Sequence, residues 1–527
     1  MTSSMNSSDV LVVGGGHNGL VAAILAASAG RSVTLLERSD QPGGATVGER
    51  IFPPHPARLS RYSYLIALLP DELMARLGIT VPLASRAVSS YTPVLRGGAA
   101  TGLLVERHLG PATEESFRQV TGSAADFAAW RQLYAEIRAL AGAVAPTLSG
   151  PLRRRSEVAD AVVAAAGAQV WTDLVEEPLG AMIERRFRDD TVRGVVATDG
   201  LIGTHTSLFA PELLANRCFL YHLVGRGVGE WLVPIGGMGA LTDALVRRAR
   251  RLGIEIRCRT EVVHIEETAG EVTVTGVAEG AQVTCSAPYL LAAVAPAVLD
   301  RCLGRETEDP VGAQIKVNML LDRLPRLKSG VDPRTAFAGT VHLNEEMSEL
   351  EAAYSITSAG DLPPVVPAEV YCHSLTDPTI MNGHPGAALT LFGLHTPVGL
   401  FRADPEAART AAAQAALIAL QKHLAEPLLD CLARDEHGEP CVDIASPVDL
   451  ERSLAMPGGN IFHDDLSWPW LADDFPADGP AAAYGVEVPG SRRILLAGAG
   501  SRRGGGVSGL GGAAAVDALL ELTAGSG

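Results

Sequence analysis

The chain has 527 residues, too many for one hydrophobic core, so we expect two or three domains. Its residues are 47% hydrophobic and 20% charged, a balance typical of globular proteins. The formal net charge of −17 provides no basic surface for nucleic acid, so we expect no nucleic-acid partner.

The seven cysteines are dispersed and form no C-x-x-C pair. This spacing predicts neither a redox dithiol nor a metal site, and it is typical of a reduced cytoplasmic protein. No apolar run reaches the roughly 18 residues that cross a bilayer, and the N-terminus lacks the basic and apolar parts of a signal peptide. We therefore predict a cytoplasmic protein, with peripheral contact with a membrane surface as the alternative.

The stretch from 9 to 37 predicts a strand, a glycine-rich turn, a helix and a second strand. Its first strand is the apolar, β-branched run around Val12. Gly14, Gly16 and Gly19 follow at G-x-G-x-x-G spacing. Gly14 allows a tight turn, Gly16 allows close approach of the backbone to a pyrophosphate, and Gly19 allows the helix to pack on the strand. This context predicts a dinucleotide-binding fold.

An acidic residue, Glu37, ends the second strand. A carboxylate at this place accepts hydrogen bonds from a ribose diol and disfavours a 2′-phosphate. The helix predicted over 18–29 points its N-terminal amides at the phosphates. FAD or NAD is therefore favoured over NADP.

A second glycine pair follows in RSDQPGGAT, after Glu37. The segments GGGHNGLVAA, ERSDQPGGAT and SRYSYLIALLP resemble the flavin-containing amine oxidase and phytoene desaturase superfamily. They are most similar to its phytoene desaturase-like branch, which includes the pyridine nucleotide-disulphide oxidoreductase domain-containing proteins. The resemblance implies FAD as the cofactor.

The middle of the chain divides into three parts. Residues 86–230 show helical periodicity near 112–145 and 156–190 and carry no assignable motif. From 231 to 296 the pattern predicts an amphipathic helix followed by strands, and by resemblance Val262 holds the adenine through its backbone. From 297 to 489 the pattern predicts a strand within 312–325 and a helix over 407–424.

The C-terminal segment ILLAGAGSRRGGGVSGLGG is the third match to the superfamily. It predicts a strand at 494–496, a glycine turn, and a helix that starts near 507–509. By resemblance, the turn lies beside the pyrophosphate and the helix N-terminus under the flavin. Arg502 and Arg503 stand where the family usually has His-Pro, and we expect their charge to raise the flavin potential.

Together these observations predict an α/β fold: a Rossmann-like FAD-binding domain of the glutathione reductase and amine oxidase type. An α+β substrate domain is inserted into it in two segments. The predicted FAD-binding domain comprises 1–85, 231–296 and 490–527, and the substrate domain comprises 86–230 and 297–489. The predicted FAD-binding residues are Gly14, Gly16, His17, Asn18, Gly19, Glu37, Arg38, Gly43, Gly44, Ala45, Arg61, Val262, Gly498, Gly500, Gly506, Val507 and Ser508.

Three polar residues are candidates for catalysis. Lys316 lies in an apolar strand, where an unpartnered ammonium is costly. By resemblance it holds a water at flavin N5, and the alternative is a sheet-edge lysine with its head in solvent. His463 and Asp464 form a second candidate group, in which His463 would act as a base near neutral pH and the aromatic residues at 468, 470 and 484 would wall a substrate pocket. The alternative is a loop packed by those aromatic side chains, with His463 capping a backbone group. For Arg61 the alternative to cofactor binding is a structural ion pair.

The leading functional hypothesis is an FAD-dependent dehydrogenase or desaturase that moves a hydride from a lipophilic substrate onto flavin N5. A flavin amine or amino acid oxidase that uses O₂ is the second hypothesis, and a non-catalytic FAD-binding escort protein is the third. The expected partners are a small-molecule substrate and an electron acceptor such as O₂ or a quinone. The sequence does not specify the oligomeric state.

Overall fold

The structure, a computed structural model, describes residues 8–227 and 229–524. Its strands are β1 (Val10–Val13), β2 (Val33–Leu36), β3 (Gly48–Glu49), β4 (Leu59–Ser60), β5 (Leu83–Ala84), β6 (Val88–Arg96), β7 (Ala99–Glu106), β8 (Val233–Pro234), β9 (Glu255–Arg257), β10 (Thr260–Glu267), β11 (Val272–Ala278), β12 (Ala281–Ala287), β13 (Tyr289–Ala292), β14 (Ile315–Leu321), β15 (Thr340–Leu343), β16 (Ala368–Tyr371), β17 (Ala387–Gly393), β18 (Val442–Ala445) and β19 (Ile494–Leu496).

Its helices are α1 (His17–Ser28), α2 (Asp71–Leu77), α3 (Pro111–Thr121), α4 (Ala125–Val144), α5 (Arg155–Ala166), α6 (Ala168–Trp171), α7 (Leu179–Arg186), α8 (Asp190–Ala197), α9 (Leu214–Leu223), α10 (Gly239–Arg251), α11 (Pro296–Cys302), α12 (Pro333–Ala336), α13 (Met347–Ser358), α14 (His373–Thr376), α15 (Pro405–Gln421), α16 (Pro447–Leu454), α17 (Pro480–Ala483) and α18 (Leu510–Ala524). Within the described ranges, no helix has both the length and the apolar character to cross a bilayer.

A five-stranded parallel sheet, ordered β19-β13-β1-β2-β9, brings together the three segments that carry glycine-rich motifs. Val12 in β1 lies between Leu291 of β13 and Leu35 of β2. Val10 and Val12 belong to the core formed with α1, α10 and α18, while Leu11 and Val13 belong to the core under the antiparallel sheet β10-β11-β12. Both faces of the parallel sheet are thus covered, which explains why β1 is apolar throughout. The predicted α/β, Rossmann-like fold is confirmed.

The second large sheet has seven strands, in the order β18-β14-β17-β16-β15-β6-β7. One face packs in a core with α15. β6 and β7 come from the segment predicted as 86–230, and the other five strands come from 297–489. The partition of the chain into domains remains a prediction. The helical periodicity predicted near 112–145 and 156–190 begins after the β6–β7 hairpin, for which the sequence predicted no element. Because β6 is buried on both faces, it lacks a clean alternation of polar and apolar residues.

Candidate functional site: a glycine-rich groove that opens into a cavity

The turn between β1 and α1 is as tight as its glycine spacing predicts. Gly14 has φ +97, and a Cβ placed on it would lie 2.8 Å from the carbonyl oxygen of Ala293. A Cβ on Gly19 would lie 1.9 Å from the carbonyl oxygen of Gly14. At Gly16, by contrast, an added Cβ would meet no atom within 4 Å. Two of the glycines therefore allow close packing of the chain, and the third leaves open space beside the N-terminus of α1.

Main-chain donors hold the carboxylate of Glu37 beside this turn. Its Oε2 accepts a hydrogen bond from the Gly15 amide at 2.6 Å, and its Oε1 accepts one from the Ser39 amide at 2.7 Å. Arg38 donates to the carbonyl oxygens of Arg452 and Ser453 at 3.3 and 3.0 Å, across the mouth of the groove. These contacts fix the acidic residue at the end of β2, where a ribose would lie.

The second glycine pair docks directly on the first turn. The Gly43 amide donates to the carbonyl oxygen of Gly15 at 2.8 Å. A Cβ on Gly44 would lie 3.2 Å from Cα of Gly16, so only glycine allows this approach. Gly44 and Ala45 line the groove, whereas Gly43 supports it from behind.

Three buried polar atoms around the groove have no hydrogen-bond partner among the described residues: His17 Nε2, Asn18 Oδ1 and His463 Nδ1. Burial lowers the pKa of His17 and of His463 to about 4. For His17, the nearby His463 ring lowers the pKa further, and a main-chain contact with Gly506 partly offsets the shift. Both rings are therefore neutral at pH 7. Buried polar groups without partners are rare in native proteins, so these atoms indicate a polar ligand in the groove.

A single cavity of about 940 Å³ begins at this groove and continues to the seven-stranded sheet. At the groove end it is lined by Gly14, Gly16, His17, Asn18, Glu37, Arg38, Gly44, Ala45, Val262, Ala499, Gly506, Val507 and His463. Val262 lines it at the point where β10 bulges. Three distant segments of the chain thus enclose one elongated space with glycine backbone, a ribose-positioned carboxylate and unpartnered polar atoms. The residues present fit FAD.

Several predicted cofactor residues face elsewhere. Arg61 pairs with Glu49 at 3.0 Å and Asp443 at 3.2 Å and does not line the cavity, a geometry that favours the structural ion pair over cofactor binding. The Ser508 hydroxyl accepts the Leu510 amide at 3.2 Å, at the start of α18. Gly498 and Gly500 pack their backbone against Val294 and Pro296, and their neighbour Ala499 is the residue that reaches the cavity. Ser508, Gly498 and Gly500 shape the turn and do not line the cavity themselves.

The structure separates the two candidates His463 and Asp464. His463 lines the main cavity, whereas Asp464 is exposed and lines a separate, smaller pocket. The aromatic residues that follow do not wall the main cavity either. Trp468 stacks on Trp470, which packs beside Trp171 in a helical core, and Tyr484 donates to Glu521.

Arg502 and Arg503 also lie outside the cavity lining. Arg503 is buried and donates to the carbonyl oxygens of Tyr484, Leu148 and Gly150 at 2.8, 3.1 and 2.5 Å. Burial lowers the pKa of Arg503 to about 10. The guanidinium therefore ties three segments of backbone together outside the cavity lining, a position that argues against the expected charge beside the flavin.

Lys316 is buried in β14 and lines the cavity, so the solvent-exposed alternative is excluded. Its Nζ donates to the carbonyl oxygens of Ser60, Arg61 and Tyr62 at 2.7, 2.8 and 2.6 Å. Burial lowers the pKa of Lys316 well below its usual range. Because three acceptors surround Nζ, they occupy all three ammonium protons. This geometry argues against the water-holding role that the family resemblance implied.

The cavity face of the seven-stranded sheet is polar, which sequence reasoning missed. Cross-strand pairing aligns one row of residues on this face: Lys316, Phe392, Glu369 and His342. Tyr371 donates to Oε2 of Glu369, and Thr198 donates to Oε1 at 3.1 Å. Burial, and then Glu345, raises the pKa of Glu369 to about 7. Alternation along each strand could have indicated which residues share a face of the sheet. The sequence does not show how neighbouring strands align, so it could not predict that these residues form one row.

The fold and the groove together define a dinucleotide-binding flavoprotein. The family model for FAD-dependent oxidoreductases matches residues 9–92. An uncharacterised protein of Mycobacterium tuberculosis is 45% identical over 98% of this chain and 97% of its own length. The chain belongs to the FAD-dependent oxidoreductase family, with FAD as its cofactor.

More distant relatives agree with this assignment. Pyridine nucleotide-disulfide oxidoreductase domain-containing protein 2 of Mus musculus is 28% identical, over 96% of this chain and 92% of that protein. The solved structure of cyclohexylamine oxidase from Brevibacterium oxydans shares the fold, with a TM-score of 0.53, 16% identity, and coverage of 99% of this chain and 100% of that one. The resemblance read from the sequence motifs is confirmed.

Proposed function

We propose that this oxidoreductase is a dehydrogenase or desaturase that oxidises a C–H bond of a small, largely lipophilic substrate. One observation carries the proposal: the FAD groove and the chamber over the seven-stranded sheet form one continuous cavity. A substrate in that chamber can therefore lie against a nucleotide held in the groove, as close positioning of reacting atoms requires.

The chamber walls support a lipophilic substrate. They carry apolar and aromatic side chains from the helices and strands around them, including Leu65, Val105, Trp130, Ile137, Ile202, Trp231 and Phe462. Polar residues line the cavity on the sheet face, at Glu369 and His342, and also on α4, at Arg131, Gln132 and Arg138. This mixed lining favours an amphipathic molecule with both an apolar body and a polar group.

The roles of the chain's own residues follow from their places. When bound, FAD supplies the hydride acceptor at N5. Glu37 and the glycine turn orient the nucleotide, and His17 and His463 offer neutral ring nitrogens to its polar atoms. Lys316 holds the 60–62 backbone, and so fixes Tyr62 and Tyr64 in the cavity wall. The electron acceptor is O₂, a quinone or a related oxidant.

A test is anaerobic titration of the purified holoprotein, with flavin absorbance as the signal. We expect bleaching by amphipathic compounds that contain an oxidisable carbon–carbon single bond, with the unsaturated product detected by mass spectrometry. Bleaching by amines alone would overturn this proposal in favour of an amine oxidase. Photoreduction with an artificial donor serves as the control, because a flavin that cannot be photoreduced and reoxidised would indicate the non-catalytic escort protein.

The oxidase is the second candidate because Lys316 lines the cavity in a strand that resembles that of the amine oxidases. Its discriminating measurement is the rate at which O₂ reoxidises the reduced flavin, developed in the Discussion.

A further inference from the structure

A buried cluster of ionisable side chains lies on the cavity face of the seven-stranded sheet, away from the FAD groove. His342 and Glu369 are cross-strand neighbours in β15 and β16, and both line the cavity. Glu345 follows a left-handed turn at Asn344, which brings it back beside His342. His342, Glu345 and Glu369 are only 5%, 2% and 2% exposed.

We propose that His342, Glu345 and Glu369 form a binding site for a divalent metal ion that prefers oxygen and nitrogen ligands, such as Mn²⁺. One ligand atom from each residue lies within 4.8 Å of the other two. Nδ1 of His342 is 2.7 Å from Oε2 of Glu345 and 3.7 Å from Oε1 of Glu369. An imidazole with two carboxylates is a ligand set that suits divalent first-row ions.

An unpartnered atom points to the same ligand. Oε1 of Glu345 is buried and has no hydrogen bond from any described residue. Thr198 lies nearby, but its single hydroxyl proton goes to Glu369 at 3.1 Å. A buried carboxylate oxygen without a donor is costly, so a cation at this position would supply the missing partner.

The local charge balance also favours a divalent cation. Glu345, Glu369 and the cavity-lining Asp199 bring three carboxylates together, and Arg86 is the cation next to them. Arg86 donates to Thr340 at 3.2 Å. Lys316 lies on the same face of the sheet in β14, two strands from Glu369 in β16, with Phe392 of β17 between them. When the carboxylates are ionised, one divalent ion would neutralise the remaining charge of the three acids and one guanidinium.

The surrounding structure holds the ligands in place. Tyr371 and Thr198 donate to Glu369, as outer hydrogen-bond partners of metal-binding carboxylates do. Gly194 of α8 packs on the turn that carries Glu345, where an added Cβ would lie 1.6 Å from its carbonyl oxygen. Metal binding would displace the proton shared by His342 and Glu345. The coordination positions of the metal ion that these three residues leave free would face the cavity, where an oxygen atom of a ligand could bind.

The test titrates the FAD-loaded full-length protein with Mn²⁺ as the only added metal. Binding is measured as the loss of the electron paramagnetic resonance signal of free Mn²⁺. Mn²⁺ is the better probe because carboxylate sites suit it and the cysteine thiols do not. We expect one ion per chain in the wild type and at least tenfold weaker binding in Glu345→Gln and in Glu369→Gln. Glu106→Gln is the matched control, since Glu106 also lines the cavity but lies outside the cluster.

FAD content and the thermal midpoint of every variant show whether the fold and the groove are intact, independently of metal binding. If a variant does not fold, pulsed resonance on the wild type decides the question, because an imidazole ligand gives a ¹⁴N coupling to bound Mn²⁺. The proposal is overturned if the wild type takes up no Mn²⁺ at about 1 mM, if the two variants bind as well as the wild type, or if the ¹⁴N coupling is missing.

Discussion

Replacing Lys316 with methionine tests what a buried ammonium does at the wall of the cavity. Methionine keeps most of the apolar stem and removes Nζ, which donates to the carbonyl oxygens of Ser60, Arg61 and Tyr62 at 2.6–2.8 Å. A hydrogen bond from a charged donor contributes about 1.5–3 kcal/mol. Three such bonds are lost, but the cost of burying the ammonium is lost with them. We expect a net destabilisation of about 2–4 kcal/mol, the range of a broken buried network.

The same substitution separates a structural role from a catalytic one. Because the three carbonyls occupy all the ammonium protons, we expect O₂ to reoxidise the reduced flavin of Lys316→Met at a rate close to that of the wild type. Stability is measured as the urea midpoint of the holoprotein, and reoxidation by stopped-flow mixing with air-saturated buffer. Lys328→Met is the control, since Lys328 is exposed and donates to a single carbonyl oxygen, that of Lys422.

Two results would contradict this reasoning. Unchanged stability would mean that the three contacts only offset the cost of burying the ammonium and give no net stabilisation. A fall in the reoxidation rate of tenfold or more, about 1.4 kcal/mol in the barrier, would show that Lys316 acts in the oxygen reaction and would favour the oxidase.

Three further predictions concern the groove and the buried arginine Arg503. Gly16→Ala should change the stability of the apoprotein little, because an added Cβ meets no atom, but should weaken FAD binding at least tenfold in a fluorescence titration because the methyl group fills the space meant for the nucleotide. Gly142→Ala is the control, since an added Cβ also meets nothing there and the site lies outside the groove, and it should leave FAD binding unchanged. His17 and His463 have pKa values of about 4 in the folded protein and about 6.5 in the unfolded chain. Between these values the unfolded chain binds more protons than the folded protein. The free energy of unfolding should therefore fall by about 2 kcal/mol per ring from about pH 7 to about pH 5. Urea midpoints at both pH values should show a smaller fall in His463→Gln, and an equal fall would refute this assignment. Arg503→Ala should lower the thermal midpoint yet leave the flavin midpoint potential unchanged, and a shifted potential would show that its charge reaches the flavin.

The sequence by itself determined the nucleotide-binding core. Gly14 and Gly19 lie where only glycine fits, and Glu37 is held at the end of β2 as its position predicted. The predicted helix over 18–29 corresponds to α1, and the predicted strand at 494–496 to β19. These features are readable because each depends on residues a few positions apart: apolar periodicity sets the strand and helix, and glycine spacing sets the turn.

Only the tertiary structure decided where the remaining polar side chains point. Lys316 meets backbone from residues some 255 positions away, Arg503 turns into the protein, and Asp464 turns away from the cavity that His463 lines. His342 and Glu369 become neighbours only through the register of β15 with β16. A side chain's partners and burial are set by the segments that fold against it. Local patterns fix which elements form, but they do not specify which distant elements meet.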